Sequence, residues 1–263
     1  MFKTMDNNLF SSVSRTQLRV KPFPHFVIEN ALDDSLYEKL DNTFPEEFLI
    51  EDNTLVKKDR GHTRRLLYKD FKDSSFVDDI WKEFADVHCS KNFFRIATNF
   101  FFEQSLQDIY PTLSDKINQL DVQLRTNNPE KDKTSVVTDF QFVANLPYGE
   151  SHTSRTPHLD NPKEIYACLF YMRKKNDSSI GGGLDFYQAK KSALEAQHTN
   201  ERAVNLDHLK YSKTVHYAKN TAVIFLNTRA SYHGVQQIYN QNLCRRSINI
   251  IGELPLGSRL FTV

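Results

Sequence analysis

Cysteine, glycine and long apolar runs are all scarce in this chain, and each scarcity removes a class of explanation. Three cysteines in 263 residues (Cys89, Cys168 and Cys244) are too few and too scattered for a disulfide scaffold or a CxxC zinc site. Cys168 and Cys244 stand among apolar residues, as small buried thiols do. No run approaches the ~18 apolar residues that a bilayer crossing needs. The first twenty residues hold no continuous apolar segment of the kind a signal peptide carries. A reducing cytoplasm is the expectation. With 8 Gly and 9 Pro the chain is not low-complexity. An excess of one charge is missing too. The 34 Lys and Arg against 33 Asp and Glu leave a net +1, a field too weak to argue for nucleic acid or an anionic membrane as partner.

What remains is an ordinary globular composition, 39% apolar and 25% charged, long enough for a proper core. Residues 1–20 are polar and aperiodic and read as a loose arm. "PFPHFVIENAL" then predicts a short strand, and "DDSLYEKLDNTFP" a helix with Asp33 or Asp34 near its N-cap. Residues 51–75, with the basic cluster "KKDRGHTRR", read as a charged, irregular, solvated segment. From Phe76 to about Tyr110 apolar residues recur at helical spacing until Pro111 ends or interrupts the pattern. After residue 134 the character changes. "SVVTDFQFVANL", "IYACLFYM", "GGGLDFYQ", "TVHYAKNTAVIFLN" and "RRSINIIGEL" are β-branched and aromatic runs separated by turn residues. A polar insert near 189–213 has room for one helix around "KKSALEAQ". The fold class expected is α+β and mainly β. One integrated domain has residues 21–134 as strand and helices packing on a β sandwich or barrel of residues 135–263.

Within the β half, "RTPHLDNP" sets His158 and Asp160 two apart, just ahead of an apolar strand. An HxD pair alone is weak, because with 9 His chance supplies about 0.7 such pairs in a chain of this kind. His233, following a later strand and a short turn in "ASYHGV", strengthens it. Two His and one carboxylate on one face are how non-haem Fe(II) is held with positions left open. Twelve residues on, "RRSINI" places Arg245, Ser247 and Asn249 at alternate positions, hence on one strand face, with Arg246, Ile248 and Ile250 on the other. A polar row facing a sandwich interior needs a partner, and a guanidinium fork suits a carboxylate. Arg246 and a surface ion pair are the competing readings for that arginine. "IGGGLDF" lacks both GxGxxG spacing and a following helix, so it reads as a β-turn, not a phosphate loop.

The order HxD, strand, Gly-Gly turn, strand, His, Arg-x-Ser resembles the Fe(II)/2-oxoglutarate dioxygenase superfamily. "PHLDNP", "ACLFYMRK", "GGGLDFY" and "YHGV" are most similar to its prolyl-4-hydroxylase-like branch, over about residues 137–252. That resemblance implies a double-stranded β-helix (jelly-roll, cupin-like) core with an N-terminal helical support region. It implies Fe(II), 2-oxoglutarate and O2, with room for ascorbate as reductant. Iron would be held by His158, Asp160 and His233. Arg245 would take the distal carboxylate of 2-oxoglutarate, with Ser247 beside it, Tyr171 as a hydrogen-bond donor and Asn249 lining the pocket. The reaction implied is hydroxylation of an unactivated C–H bond, releasing succinate and CO2, and the retained Asp160 favours this over halogenation. Leu146 stands where the branch's protein hydroxylases often carry Tyr, which tilts the substrate from a peptide prolyl residue toward an amino acid or small metabolite. Arg155, Arg229 and Arg64 are candidate substrate contacts. The alternative is a non-catalytic cupin-like protein binding a metal or small ligand, which explains the triad but not Arg245 and Ser247.

Overall fold

The computed structural model describes residues 8–51, 53–59, 62–126, 134–195 and 204–261. Its strands are β1 (His25–Glu29), β2 (Lys57–Asp59), β3 (Thr63–Leu67), β4 (Val122–Leu124), β5 (Val136–Asn145), β6 (Ser151–His152) and β7 (Glu164–Met172). There follow β8 (Ile180–Gly181), β9 (Leu184–Ala189), β10 (Leu209–Val215), β11 (Lys219–Leu226), β12 (His233–Val235), β13 (Ile238–Tyr239) and β14 (Arg245–Glu253). The helices are α1 (Asp34–Asn42), α2 (Glu46–Ile50), α3 (Tyr68–Phe71), α4 (Asp79–His88) and α5 (Lys91–Arg95), then α6 (Glu103–Ile109), α7 (Pro111–Ile117) and α8 (Lys191–Glu195). This is a mixed helix and sheet fold. No helix among the described residues is long and apolar enough to cross a membrane.

A large sheet runs β1-β11-β7-β14-β5-β3-β2, antiparallel throughout, with β4 added parallel to β5. A smaller sheet runs β10-β9-β12, and a third joins β6, β13 and β8. Period-two alternation gives the large sheet two unlike faces. Ile248, Ile250, Phe140, Phe142, Phe170 and Ile224 point outward into one apolar cluster with Trp81 and Phe84 of α4 and Phe93 and Phe94 of α5. On the inward face Tyr171, Val223 and Phe225 meet Leu184, Phe186 and Val215 of the small sheet. The functional face is therefore the inner one. Helices α4 and α5 are buried against the back of the sheet that carries it.

The expected elements are largely where their patterns place them. Asp33 caps α1, accepting from the backbone N–H of Ser35 and Leu36. Pro111 does not merely end a helix; it opens α7, where its missing N–H costs nothing. Two expectations need correction. The segment read as irregular, 51–75, holds β2, β3 and α3, because Thr63–Leu67 pairs with β5 and extends the sheet. The loose arm is packed from Asn8 on: Leu9 is fully buried, its N–H donating to His88 Nε2, and Phe10 stacks on Phe93 at 5.1 Å. Two apolar residues in a polar stretch suffice to dock it. Residues 1–7 of that arm lie outside the described residues, as do 196–197 of the expected helix, of which α8 is the described part.

Candidate metal centre and carboxylate pocket

His158 and His233 are brought together by backbone pairing. Each donates its N–H to the other's carbonyl, at 2.9 and 3.1 Å, so the HxD segment forms a fourth row beside β12. Gly234 makes this approach possible, since a Cβ there would sit 3.0 Å from the nitrogen of Pro157 and 3.2 Å from its Cα. The two imidazoles lie 4.5 Å apart between ring centres, and Asp160 closes the group. One ligand atom from each of the three residues falls within 4.8 Å of the others.

The hydrogen bonds fix which nitrogens face inward. His158 Nδ1 lies 2.8 Å from the carbonyl of Thr156, and His233 Nδ1 2.8 Å from that of Ser231. A carbonyl only accepts, so each Nδ1 carries the proton and each Nε2 presents a lone pair. Those lone pairs point at carboxylate oxygens: His158 Nε2 is 3.5 Å from Asp160 Oδ1, and His233 Nε2 is 3.4 Å from Asp160 Oδ2. Burial, with His233 beside it, lowers the pKa of His158 to about 4, so near neutral pH no proton bridges it to Asp160. Asp160 is held well below the usual carboxylate range; burial pushes it up, but the two histidines outweigh that. Two imidazole lone pairs and a carboxylate aimed at one point are an arrangement that a cation between them would satisfy. Two imidazole nitrogens and one carboxylate suit a divalent first-row metal such as Fe(II).

Arg245 lies on the inner face as its alternation requires, and it is buried. Its Nε donates to the Gly182 carbonyl at 2.6 Å and its Nη1 to Asn145 Oδ1 at 2.9 Å. Nη2 has no partner. The guanidinium carbon lies 5.0 Å from the Tyr171 ring centre and 5.1 Å from that of Tyr217. Ser247 is directly opposite Tyr171, whose buried hydroxyl is also without a partner. The glycines link β8 to β9, with Gly182 at φ +74°, where a Cβ would press on Arg245 Cδ at 3.3 Å. Asn249 follows on the same face, its Oδ1 buried and unpartnered. Two buried donors without a hydrogen-bond partner, Arg245 Nη2 and Tyr171 Oη, lie at this end of the face, chemistry that a carboxylate would answer.

Arg246, the rival arginine, is a structural residue on the opposite face, paired with Asp41 and Glu46 and donating to the Met172 carbonyl at 3.1 Å. Arg155 and Arg229 are exposed on the segments that carry His158 and His233. Arg64 is not on the inner face. It stands opposite Ala144 in the row of Arg246, on the helix-covered face, whereas Arg65 is opposite Val143 in the row of Ser247. A one-residue shift of register moves a side chain to the other face. Sequence reading also missed Asn145 and Gly182, which aim Arg245, and His25, fully buried with its ring 4.8 Å from Phe186. Polar residues at alternate positions of β5 were the available signal for Asn145.

Residues 143–251 match the family described as the 2OG-Fe(II) oxygenase superfamily. No curated protein sequence matches the chain. Among solved structures, a dioxygenase for auxin oxidation from Arabidopsis thaliana, determined with 2-oxoglutarate, is similar at 13% identity and a TM-score of 0.50, over 89% of this chain and 85% of that one. A prolyl 4-hydroxylase from Phytophthora capsici is similar at 16% identity and a TM-score of 0.48, over 96% of this chain; the match spans only 66% of that longer protein. A prolyl hydroxylase from Trichoplax adhaerens, solved with a peptide fragment of hypoxia inducible factor, is similar at 10% identity and a TM-score of 0.44, over 87% and 83%. Proteins of that superfamily use Fe(II), 2-oxoglutarate and O2, and the matched segment of this chain contains His158, Asp160, His233 and Arg245.

Proposed function

We propose that this protein is an Fe(II)- and 2-oxoglutarate-dependent dioxygenase that hydroxylates an unactivated C–H bond of a small substrate. The observation that carries the reading is the convergence of two lone-pair nitrogens and one carboxylate, with a buried unmet guanidinium nitrogen on the same inner face. His158 Nε2, His233 Nε2 and an oxygen of Asp160 hold the metal. Thr156 and Ser231 keep both imidazoles in the tautomer that ligation needs. Arg245 Nη2 and Tyr171 Oη receive the distal carboxylate of 2-oxoglutarate, with Ser247 beside it. Bound there, Fe(II) with 2-oxoglutarate and O2 supplies the oxidation, 2-oxoglutarate leaving as succinate and CO2. The protein's own part is orientation and exclusion of water by the apolar layer of Leu184, Phe186, Val223 and Phe225.

In this reading the two facing sheets are the double-stranded β-helix core, within residues 135–263, and residues 21–134 are its support. A metal-binding module without oxygen chemistry would leave Arg245 Nη2 and Tyr171 Oη without a purpose. The test is succinate formation from 2-oxoglutarate by the purified chain under Fe(II) and O2. Asp160→Ala and His233→Ala abolish it; turnover equal to wild type in either variant overturns the assignment.

A further inference from the structure

The inner face has a second polar feature that metal and 2-oxoglutarate do not use. A ladder of side chains runs along β5 and its neighbours. Arg65 pairs with Asp59 at 2.8 Å and donates from Nη1 to Gln141 Oε1 at 3.4 Å. Gln141 Nε2 donates to Asp139 Oδ2 at 2.8 Å, and Arg125 Nε donates to the same oxygen at 3.0 Å. Arg125 Nη2 reaches Glu253 Oε2 at 2.6 Å, where Lys163 Nζ also lies, at 2.7 Å. Gln141 stands directly opposite Asn249, and Asp139 opposite Ile251, so the ladder borders the pocket face of β14.

Position relative to the metal follows from the registers: the His233 ring of β12 lies 4.6 Å from Phe225 of β11, whose cross-strand row continues through Ala167 of β7 and Ile251 of β14 to Asp139 of β5. The inner positions Ala167, Leu169, Asn249 and Ile251 are only partly buried, while their outward neighbours Cys168, Phe170, Ile248 and Ile250 are closed off. These four inner positions are less enclosed than their outward neighbours, and the ladder flanks them.

The unmet atoms give the sign of what fills it. Within the ladder Arg125 is held between two carboxylates and Arg65 between Asp59 and Gln141, so neither guanidinium awaits an anion. Besides Arg65 Nε, which makes no hydrogen bond but lies in ion-pair range of Asp59, the unpartnered atoms here are Asp139 Oδ1, on a fully buried side chain, and Asn249 Oδ1. Both are acceptors, where Arg245 Nη2 and Tyr171 Oη are donors. A buried acceptor without a donor is expensive, and a carboxylate oxygen most of all. We propose that Asp139 and Asn249 read a protonated amine, and that the primary substrate is a small amine-bearing molecule of the basic amino acid or polyamine kind. The inference rests on the dioxygenase reading and deepens it: 2-oxoglutarate takes the donor end of the face, and the substrate's ammonium takes the acceptor end.

The test uses the full chain with Fe(II), O2 and saturating 2-oxoglutarate and reads succinate. The probes are L-lysine, L-arginine and putrescine against L-glutamate, L-leucine and a prolyl peptide. One of the three amines raises succinate several-fold above the probe-free rate, and the other probes do not. In Asp139→Asn the amine concentration giving half the effect rises about tenfold or more, the loss of one charge-assisted hydrogen bond. Asn249→Leu shifts it in the same direction. Thermal melts of both variants separate this from unfolding, and the wild-type panel decides the class without any variant. Greater stimulation by glutamate, leucine or the peptide overturns the proposal, as does no stimulation by any probe. A water at Asp139 in place of a ligand would leave both variants responding as wild type, which overturns it equally. No succinate with or without a probe overturns the dioxygenase reading, and this one with it.

Discussion

Arg245 offers the sharpest test of the carboxylate pocket, because its three guanidinium nitrogens have separable tasks. Nε and Nη1 are committed to Gly182 and Asn145, and only Nη2 is left for a ligand. Arg245→Ala removes one charge-assisted hydrogen bond to the carboxylate, worth about 1.5–3 kcal/mol. At about 1.4 kcal/mol per tenfold, the KM for 2-oxoglutarate rises about 10- to 150-fold. Arg245→Lys keeps the charge but cannot hold Gly182 and Asn145 while reaching the ligand, so it falls between wild type and alanine. Tyr171→Phe removes a neutral donor, about 0.5–1.5 kcal/mol, or roughly 2- to 12-fold. Arg245→Ala also strands the Gly182 carbonyl and Asn145 Oδ1, so its assay runs well below its melting temperature. Succinate against 2-oxoglutarate concentration gives the KM. A value for Arg245→Ala within about threefold of wild type, in a folded variant, refutes the reasoning outright.

The remaining predictions separate structural from functional residues. Arg246→Met breaks the buried pairing with Asp41 and Glu46 and costs stability on the order of 3 kcal/mol in urea unfolding, yet leaves the KM for 2-oxoglutarate unchanged. Gly234→Ala forces a Cβ onto the backbone of Thr156 and Pro157, spreads His158 from His233 and weakens anaerobic Fe(II) binding about tenfold or more by calorimetry; unchanged affinity would show that this close approach does not set the site. His88 is fully buried, its pKa lowered by burial to about 4, and its Nε2 accepts from Leu9. A depressed histidine means that the unfolded chain binds the proton first. Stability is then complete above about pH 6.5 and falls as the pH drops toward 4, by about 3 kcal/mol from this residue. His88→Gln flattens that part of the profile; an unaltered pH dependence of the melting temperature counts against it.

The chain order of strands was legible because each carries apolar alternation bounded by turn residues, and β5, β7, β9, β11 and β14 lie within or close to those runs. The triad was legible because His158 and Asp160 are neighbours in sequence and His233 opens a strand. Arg245 was legible for the same reason that Arg246 could be dismissed: two adjacent residues on one strand must face opposite ways. What failed was a short charged strand. In "KDRGHTRR" no apolar residue marks the inward face, so nothing in the pattern tells Arg64 from Arg65. Only the pairing of β3 with β5 decides it.

The polar wall was hidden by a different cause. "VVTDFQFVAN" has Asp139, Gln141 and Asn145 at alternating positions, the same signature that singled out Arg245, Ser247 and Asn249 in "RRSINI". Phe140, Phe142 and Ala144 between them meet the helices, so the run looks like an apolar strand with polar interruptions. Yet a strand buried on both faces has no solvent side on which to spend polar residues. Each inward polar group must then be answered by another side chain, by water or by a ligand. Arg125 and Gln141 answer one oxygen of Asp139, and Gly182 and Asn145 answer two nitrogens of Arg245. The atoms left over sort by sign along the face, donors at Arg245 and Tyr171 and acceptors at Asp139 and Asn249. A single anionic ligand satisfies the first pair and cannot satisfy the second, so the proposed two ligands of opposite charge, one at each end, would answer both.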